Sequence, residues 1–147
     1  MSRKVVILFG TESGNAEFAA EDMAAEITDR EVEVFDMTDF NVEDLSPDNF
    51  YLVICSTHGE GDPPSGAVPM LQALESQAPD LTGVEYAMFG LGDSSYENYS
   101  KGSEHIDEKL AALGAKRVGE YGRHDAHTGT LPNSSAVDWT NRVLESI

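Results

Sequence analysis

Positive charge is what this chain has least of. Its 147 residues carry nine Lys and Arg against 27 Asp and Glu, a formal charge of −18. Holding a nucleic acid backbone requires a basic face, so nucleic acid is excluded as a partner. Cysteine is almost absent too. Cys55 is the only one, which rules out an internal disulfide and a thiolate metal cluster. It follows the apolar run Tyr51-Leu52-Val53-Ile54 and is expected to be a buried, inert thiol. No apolar run approaches the ~20 residues of a membrane span. No basic segment followed by an apolar stretch marks a signal peptide. The expectation is a cytoplasmic protein without a membrane partner, folded as a single domain over residues 1–147. The surplus of acid suits an adaptation to salt or solubility, or a face on which basic partners dock.

Two phosphate signatures are missing as well. The chain has no Gly-x-x-x-x-Gly-Lys-Ser/Thr and no Gly-x-Gly-x-x-Gly. What stands near the start instead is Val5-Val6-Ile7-Leu8-Phe9, then Gly10, then Thr11-Glu12-Ser13-Gly14-Asn15. A short, branched apolar run bounded by glycine reads as a strand buried on both faces. Ala16, Ala20, Met23 and Ile27 then recur with helical spacing. Strand, hydroxyl-rich loop and helix together aim amides and hydroxyls at one point beside the positive end of a helix dipole. That arrangement suits an anion, phosphate above all. Thr11 and Ser13 would supply hydroxyls. Glu12, Gly14, Asn15 and Ala16 would supply N–H groups. No Lys or Arg lies between Lys4 and Arg30. The same residues equally suit an ordinary strand-to-helix turn with capping side chains.

Further along, Glu31 to Asp36 alternates as a second strand with its apolar residues on one face. Thr38 to Asn49 is polar and suits a loop with one helical turn. Phe50 to Cys55 is a third, buried strand, followed by the loop Ser56 to Gly66. A helix with Pro69 in its first turn turns Met70, Leu71 and Leu74 inward. Val84 to Phe89 is a fourth strand and Gly90 to Ser100 a loop. Ile106, Leu110 and Leu113 mark a helix that Gly114 ends in a left-handed cap. Ala115 to Tyr121 is a fifth strand, and Gly122 to Ser134 another loop. Ser135-Ala136-Val137-Asp138 resembles a capping box opening a last helix with Trp139, Val143 and Ile147.

Strands alternating with helices predict an α/β fold with a five-stranded parallel sheet and helices on both faces. Right-handed crossovers and one switch point predict the order 2-1-3-4-5. Ligands then bind beyond the carboxyl ends of the strands, where strands 1 and 3 diverge. The glycine-rich loops Gly10 to Asn15, Ser56 to Gly66, Gly90 to Ser100 and Tyr121 to Ser134 lie at that rim. Two of them offer a flat side chain, His58 and Tyr96. Planar groups beside a phosphate site suit a flat heteroaromatic ligand with a phosphate tail, and flavin mononucleotide (FMN) fits that outline. Taken singly, a loop Tyr commonly covers core and a loop His is commonly solvated.

Thr11-Glu12-Ser13-Gly14-Asn15-Ala16, Ser56-Thr57-His58-Gly59-Glu60-Gly61-Asp62-Pro63 and Phe89-Gly90-Leu91-Gly92-Asp93-Ser94-Ser95-Tyr96-Glu97-Asn98-Tyr99 together resemble a flavodoxin. They are closest to the FMN-binding domain of diflavin reductases, such as cytochrome P450 reductase and sulfite reductase flavoprotein, and to free-standing MioC-type proteins. The likeness runs over essentially the whole chain. It implies a flavodoxin-like three-layer sandwich of the short-chain type, with FMN as cofactor. It implies that Thr11, Glu12, Ser13, Gly14, Asn15 and Ala16 bind the FMN phosphate. Ser56, Thr57, His58 and Gly59 would pass the inner face and N5 edge of the ring. Leu91, Gly92, Asp93, Ser94, Ser95, Tyr96, Glu97, Asn98, Tyr99 and Ser100 would form the outer wall, with Tyr96 stacked on the ring. Asp125 falls where the family places an acid close to the flavin. Two positions depart from the pattern. His58 stands where the reductases usually carry an aromatic residue, which is expected to weaken stacking and tie the potential to pH. Asp93 replaces a more usual Asn.

The function implied is that of a one-electron carrier, not an enzyme. It would shuttle electrons from an NAD(P)H-dependent flavodoxin reductase to acceptor enzymes that dock through basic faces, and it would work as a monomer. Glu12, Glu60, Asp62, Asp93, Glu97 and Asp125 lie in the rim loops and would oppose negative charge on a reduced ring. An alternative on the same fold is a flavin-dependent NAD(P)H:quinone-type reductase, which needs room over the ring that Tyr96 and His58 should fill. A response-regulator receiver fails, because strand 1 leads into Gly10-Thr11 and not an acid pair. Starting at Met1 and ending just past its last helix, the chain is expected to be independent and not one domain of a longer reductase. No metal is expected. His124 and His127 have metal-like spacing but lack further ligands, and His105 reads as solvated.

Overall fold

The computed structural model of the protein describes residues 4–10, 15–28, 31–56, 68–92, 101–118, 122–125 and 132–145. In chain order its elements are β1 (Lys4–Gly10), α1 (Asn15–Glu26), β2 (Val32–Asp36), a 3-10 turn (Val42–Asp44), β3 (Asn49–Ser56) and α2 (Val68–Gln77). There follow β4 (Glu85–Gly92), α3 (Lys101–Ala112), β5 (Lys116–Arg117), β6 (Gly122–Asp125) and α4 (Pro132–Glu145). The strands form one parallel sheet in the order β2-β1-β3-β4-β5, with β6 also on β4.

The inner strands are apolar throughout because both of their faces are covered. Val5, Ile7 and Phe9 of β1 point to one side, with Phe50, Leu52 and Ile54 of β3 and Ala87 and Phe89 of β4. There they meet Ala19, Ala20 and Met23 of α1, and Trp139 and Val143 of α4. The alternate residues Val6, Leu8, Tyr51, Val53, Cys55, Tyr86 and Met88 point to the other side. These meet Met70 and Leu74 of α2, and Ile106 and Leu110 of α3. The chain steps from β1 to β2 in one direction and from β3 through β4 to β5 in the other. Crossovers of one hand therefore place their helices on opposite faces. In β2, Val32 and Val34 lean on the α1 side while Phe35 leans on the other, so the apolar residues of this strand are shared between the faces.

Two buried tyrosines fasten connections to the sheet. The Tyr51 hydroxyl accepts a hydrogen bond from the Ser46 N–H at 2.8 Å and donates to the Asp44 carbonyl at 3.3 Å. The Tyr86 hydroxyl donates to Asp107 Oδ1 at 2.7 Å. The other oxygen of that carboxylate accepts from Arg117 Nη1 at 2.8 Å, which ties α3 to β5.

Gly114 ends α3 in a left-handed cap, as its sequence position predicts. Its φ is +108°, its N–H donates to the Ala111 carbonyl at 3.1 Å, and the Ala115 N–H reaches the Leu110 carbonyl at 3.1 Å. The cap rests on the turn before β4, where the Leu81 N–H donates to the Leu113 carbonyl at 2.9 Å. The Thr82 hydroxyl and N–H donate to the Asp80 carboxylate, which holds that carboxyl below its usual pKa. A Cβ on Gly114 would lie 3.1 Å from both the Thr82 N and its Oγ1. Gly114→Ala is therefore expected to destabilise the fold by about 1–3 kcal/mol, from backbone strain and this contact together. A lowered midpoint in thermal unfolding would show it. Gly114→Asn, which tolerates φ > 0 better, should fall between the two.

Two elements differ from expectation. The fifth strand position is split, and its second part, β6, occupies residues that read as a loop. Glu85 faces Lys116, an offset of 116 − 85 = 31, whereas Phe89 faces Gly122, an offset of 122 − 89 = 33. The pairing thus shifts by two residues between β5 and β6 and does not keep one register along β4. Val118 still donates to the Tyr86 carbonyl at 2.7 Å. The last helix begins at Pro132, three residues before the Ser135 that mimics a cap. Proline suits the first helical position, where its missing N–H costs nothing and its φ is already helical.

Candidate functional site

The carboxyl ends of four strands stand in line. Gly10 of β1 is paired with Cys55 of β3, and Cys55 with Gly90 of β4. One step further out, Ser56 faces Leu91, and Gly92 faces Asp125 of β6. Asn15 and Ala16, the first residues of α1, follow β1 at the same rim. Of the residues expected at the site, the structure brings Asn15, Ala16, Ser56, Leu91, Gly92 and Asp125 to this one edge. Reading β6 as a strand places Asp125 at its end, opposite Gly92. The expected residues Thr11, Glu12, Ser13, Gly14, Thr57, His58, Gly59, Asp93, Ser94, Ser95, Tyr96, Glu97, Asn98, Tyr99 and Ser100 lie outside the described residues, as do Glu60, Asp62 and His127. The segments that contain them all depart from or arrive at this edge.

Helix α1 starts here with Asn15, Ala16, Glu17 and Phe18, whose N–H groups precede the first intrahelical bonds. They form the positive end of a helix dipole at the strand rim, and α1 contains no Lys or Arg. A donor set of amides without a cation fits a phosphate monoester. The thiol of Cys55, in line with the rim glycines, is fully buried, and burial alone pushes its pKa up to about 12. It is a core group and not a redox centre. Among the described residues no group of three or more His, Cys, Asp or Glu is placed to hold a metal ion, and no helix is long and apolar enough to cross a membrane.

Acid lies at both ends of the sheet, and the described cations lie at one of them. Helices run back against their strands, so their first turns lie at the rim and their last turns at the opposite edge. Among the described side chains, the cations Lys4, Lys109, Lys116, Arg117 and Arg142 all belong to that opposite edge, where Lys4 pairs with Glu33 and Arg117 with Asp107, and where Glu26, Glu31, Glu85 and Glu145 also lie. The rim half holds Glu17, Glu104, Asp36 and Asp39. Asp36 is fixed by the Thr38 N–H and hydroxyl, each donating at 2.9 Å.

A family model described as Flavodoxin matches residues 7–139. The chain belongs to the flavodoxin family. FMN is the cofactor of flavodoxins, and the donor set at the rim fits it. Protein MioC of Escherichia coli O157:H7 is 30% identical over 135 residues, covering 92% of both chains. The sulfite reductase [NADPH] flavoprotein alpha-component of Thiocapsa roseopersicina is 39% identical over 118 residues, which is 78% of this chain. This chain spans only 23% of that relative's length. Among solved structures, a cysteine-to-serine variant of flavodoxin from Pseudomonas aeruginosa superposes with a TM-score of 0.82 at 29% identity, covering 97% of each chain. The flavodoxin-like sheet in the order 2-1-3-4-5 is thus found both in the molecule and in its structural neighbours.

One surface residue went unremarked in the sequence. Phe18 stands in the first turn of α1 and is 62% exposed. Its signal is phase: Ala19, Ala20, Met23 and Ile27 are buried, and an aromatic at position 18 falls outside that stripe.

Proposed function

We propose that this chain is a one-electron carrier that works through bound FMN. It accepts electrons from an NAD(P)H-dependent flavodoxin reductase and delivers them to acceptor enzymes. The observation that supports this most is the cation-free N-terminus of α1 set beside the aligned ends of β1, β3 and β4. Thr11 to Ala16 would hold the phosphate through hydroxyls and amides. Ser56 to Gly59 and Leu91 to Ser100 would enclose the ring, with Tyr96 against it, and Asp125 would lie close by. FMN supplies a ring that accepts and releases single electrons. The chain supplies position and electrostatics.

Acids in the rim loops raise the free energy of negative charge brought there. Unit charges ~4 Å apart interact by roughly 4 kcal/mol at an effective dielectric near 20. Each ~1.4 kcal/mol of net repulsion lowers a one-electron potential by ~59 mV. The last one-electron step should therefore lie well below that of free FMN, and rising salt should bring it back up. The same reading takes the chain as a cytoplasmic monomer folded as one domain over residues 1–147.

Calorimetry on the FMN-free chain tests the proposal, with uptake of one FMN per chain as the expected result. A redox titration of the loaded protein should then resolve two separate one-electron steps. No FMN uptake would overturn the reading. Rapid NADPH oxidation in the presence of a quinone, with no reductase added, would replace it by the quinone-reductase alternative.

A further inference from the structure

We propose that the Asp107 carboxylate, shared between Tyr86 and Arg117, positions the outer wall of the FMN site. It does so by fixing where α3 starts relative to the end of β4. The proposal rests on the electron-carrier reading and deepens it, because it names residues remote from the rim that set how tightly the ring is held.

Tyr86 and Arg117 are direct partners across β4 and β5, and Asp107 of α3 bonds to both. The Tyr86 hydroxyl lies 2.7 Å from Asp107 Oδ1 and 3.2 Å from the Asp107 carbonyl oxygen. Arg117 Nη1 donates to Oδ2 at 2.8 Å. Two strands and a helix thus meet at one carboxylate. Residues 93–100, which the carrier reading assigns to the outer wall, run from Gly92, the last residue of β4, to Lys101, the first of α3. From Tyr86 to Gly92 the strand extends roughly 20 Å, at ~3.3 Å per residue. From Asp107 back to Lys101 the helix extends about 9 Å, at ~1.5 Å per residue. Both elements are stiff, so a slide of α3 along β4 at the carboxylate would reappear at the two ends of that segment.

The worth of this arrangement to stability is small. Ile106 and Leu110 already seal α3 onto the sheet. Phenylalanine at position 86 would fill the same space without a hydroxyl that needs a partner. The Arg117 side chain is 42% exposed, and an ion pair so open to water adds little. What the three groups add is direction. Apolar burial is non-directional and sets how closely a helix packs more than where along a strand it stops. Short bonds to a charged group, with preferred angles, settle that second question. A wall laid against a flat ring needs such support, since its groups must be held to within ~0.5 Å.

The test compares two variants that each delete a buried tyrosine hydroxyl from the same face of the sheet. Tyr86→Phe releases α3 from β4, whereas Tyr51→Phe releases the connection at Asp44 and Ser46, which does not lead to the outer wall. FMN is titrated into each unloaded chain and binding is followed by quenching of flavin fluorescence. Tyr86→Phe is expected to raise the Kd about fivefold. Tyr51→Phe should stay within twofold of the parent protein. Asp107→Ala should weaken binding at least as much as Tyr86→Phe, and combining the two should add nothing, because both act through one carboxylate. Should Asp107→Ala fail to fold, Tyr86→Phe decides, since it leaves the core volume intact. A Kd for Tyr86→Phe within twofold of the parent, or an equal loss in Tyr51→Phe, would overturn the proposal. If the parent itself takes up no FMN, the carrier reading falls by itself. Positioning is then read on the unloaded chain, from the amide resonances of Gly92 and Lys101 in NMR. Displacement of both in Tyr86→Phe but not in Tyr51→Phe supports the role of the carboxylate, and unmoved resonances overturn it.

Discussion

Trp139→Ala is expected to lower the unfolding free energy by about 3–5 kcal/mol, a large share of what a domain of this size has. Trp139 is fully buried and among the largest side chains of the interior. Its ring stands 5.2 Å from that of Phe89 at an interplanar angle of 57°. That tilted contact joins α4 to β4, and the same cluster includes Ala19, Ala20 and Met23 of α1. Alanine would leave a cavity bounded by two helices and the sheet, which rigid elements cannot close. Chemical denaturation should show a lower midpoint at an unchanged slope, since the surface exposed on unfolding hardly alters. The comparison belongs on the FMN-free chain. Ligand in excess adds RT ln(1 + [L]/Kd) to the stability and would hide part of the loss. Trp139→Phe keeps a ring against Phe89 and should cost distinctly less. Equal losses for the two variants would show that the ring contact contributes nothing.

The second large effect appears only in alkali. Burial holds the Cys55 thiol neutral to about 12 in the folded chain, against an ordinary value of 9.0. Below pH 9 both folded and unfolded chains keep the proton, and stability does not depend on it. Between pH 9 and 12 the unfolded chain releases the proton and the folded chain retains it. The unfolded state then binds fewer protons, so stability falls as pH rises. The slope is about 1.4 kcal/mol per pH unit, or roughly 4 kcal/mol across the window. Cys55→Val keeps an apolar group of similar size and removes the titration. Its unfolding free energy should lose that component of the slope, and identical slopes for the two proteins would refute the assignment. At pH 8 the same burial should slow alkylation by iodoacetamide about a thousandfold relative to the unfolded chain, because only the thiolate reacts.

The inner sheet was legible because its physics is simple. A strand covered on both faces must be apolar at every position, and Val5 to Phe9, Phe50 to Cys55 and Tyr86 to Phe89 are. The cap at Gly114 was legible because the left-handed region favours one residue type. The fifth strand was legible only in part, for the opposite reason: β5 falls within Ala115 to Tyr121, but β6, which pairs further along β4, reads as loop in the sequence. Lys116 and Arg117 are exposed, and Gly122-Arg123-His124-Asp125 carries no alternation. Only pairing with β4 makes a strand of either segment. The start of α4 was misplaced because Ser135 and Asp138 imitate a capping box, whereas Pro132 takes the first helical position. At the rim, the loops were read from motifs and resemblance, since periodicity carries no information where the backbone is irregular. The structure adds the common edge from which those loops spring. Phe18 escaped notice because helical phase was used to find the interior, and a residue outside that phase was assigned to no face.

The register mismatch along β4, from an offset of 31 at Glu85 and Lys116 to one of 33 at Phe89 and Gly122, bears on how the molecule can be lengthened. Pairing before the mismatch and pairing after it are already independent of each other. Extra residues spliced in at that point would not slide Lys116 or Gly122 along their neighbour. A short reporter peptide inserted after Val118 should leave the α1/α4 layer as it is. The outer margin of the sheet is thus a graft point, separated from the row of strand tips by the four residues of β6.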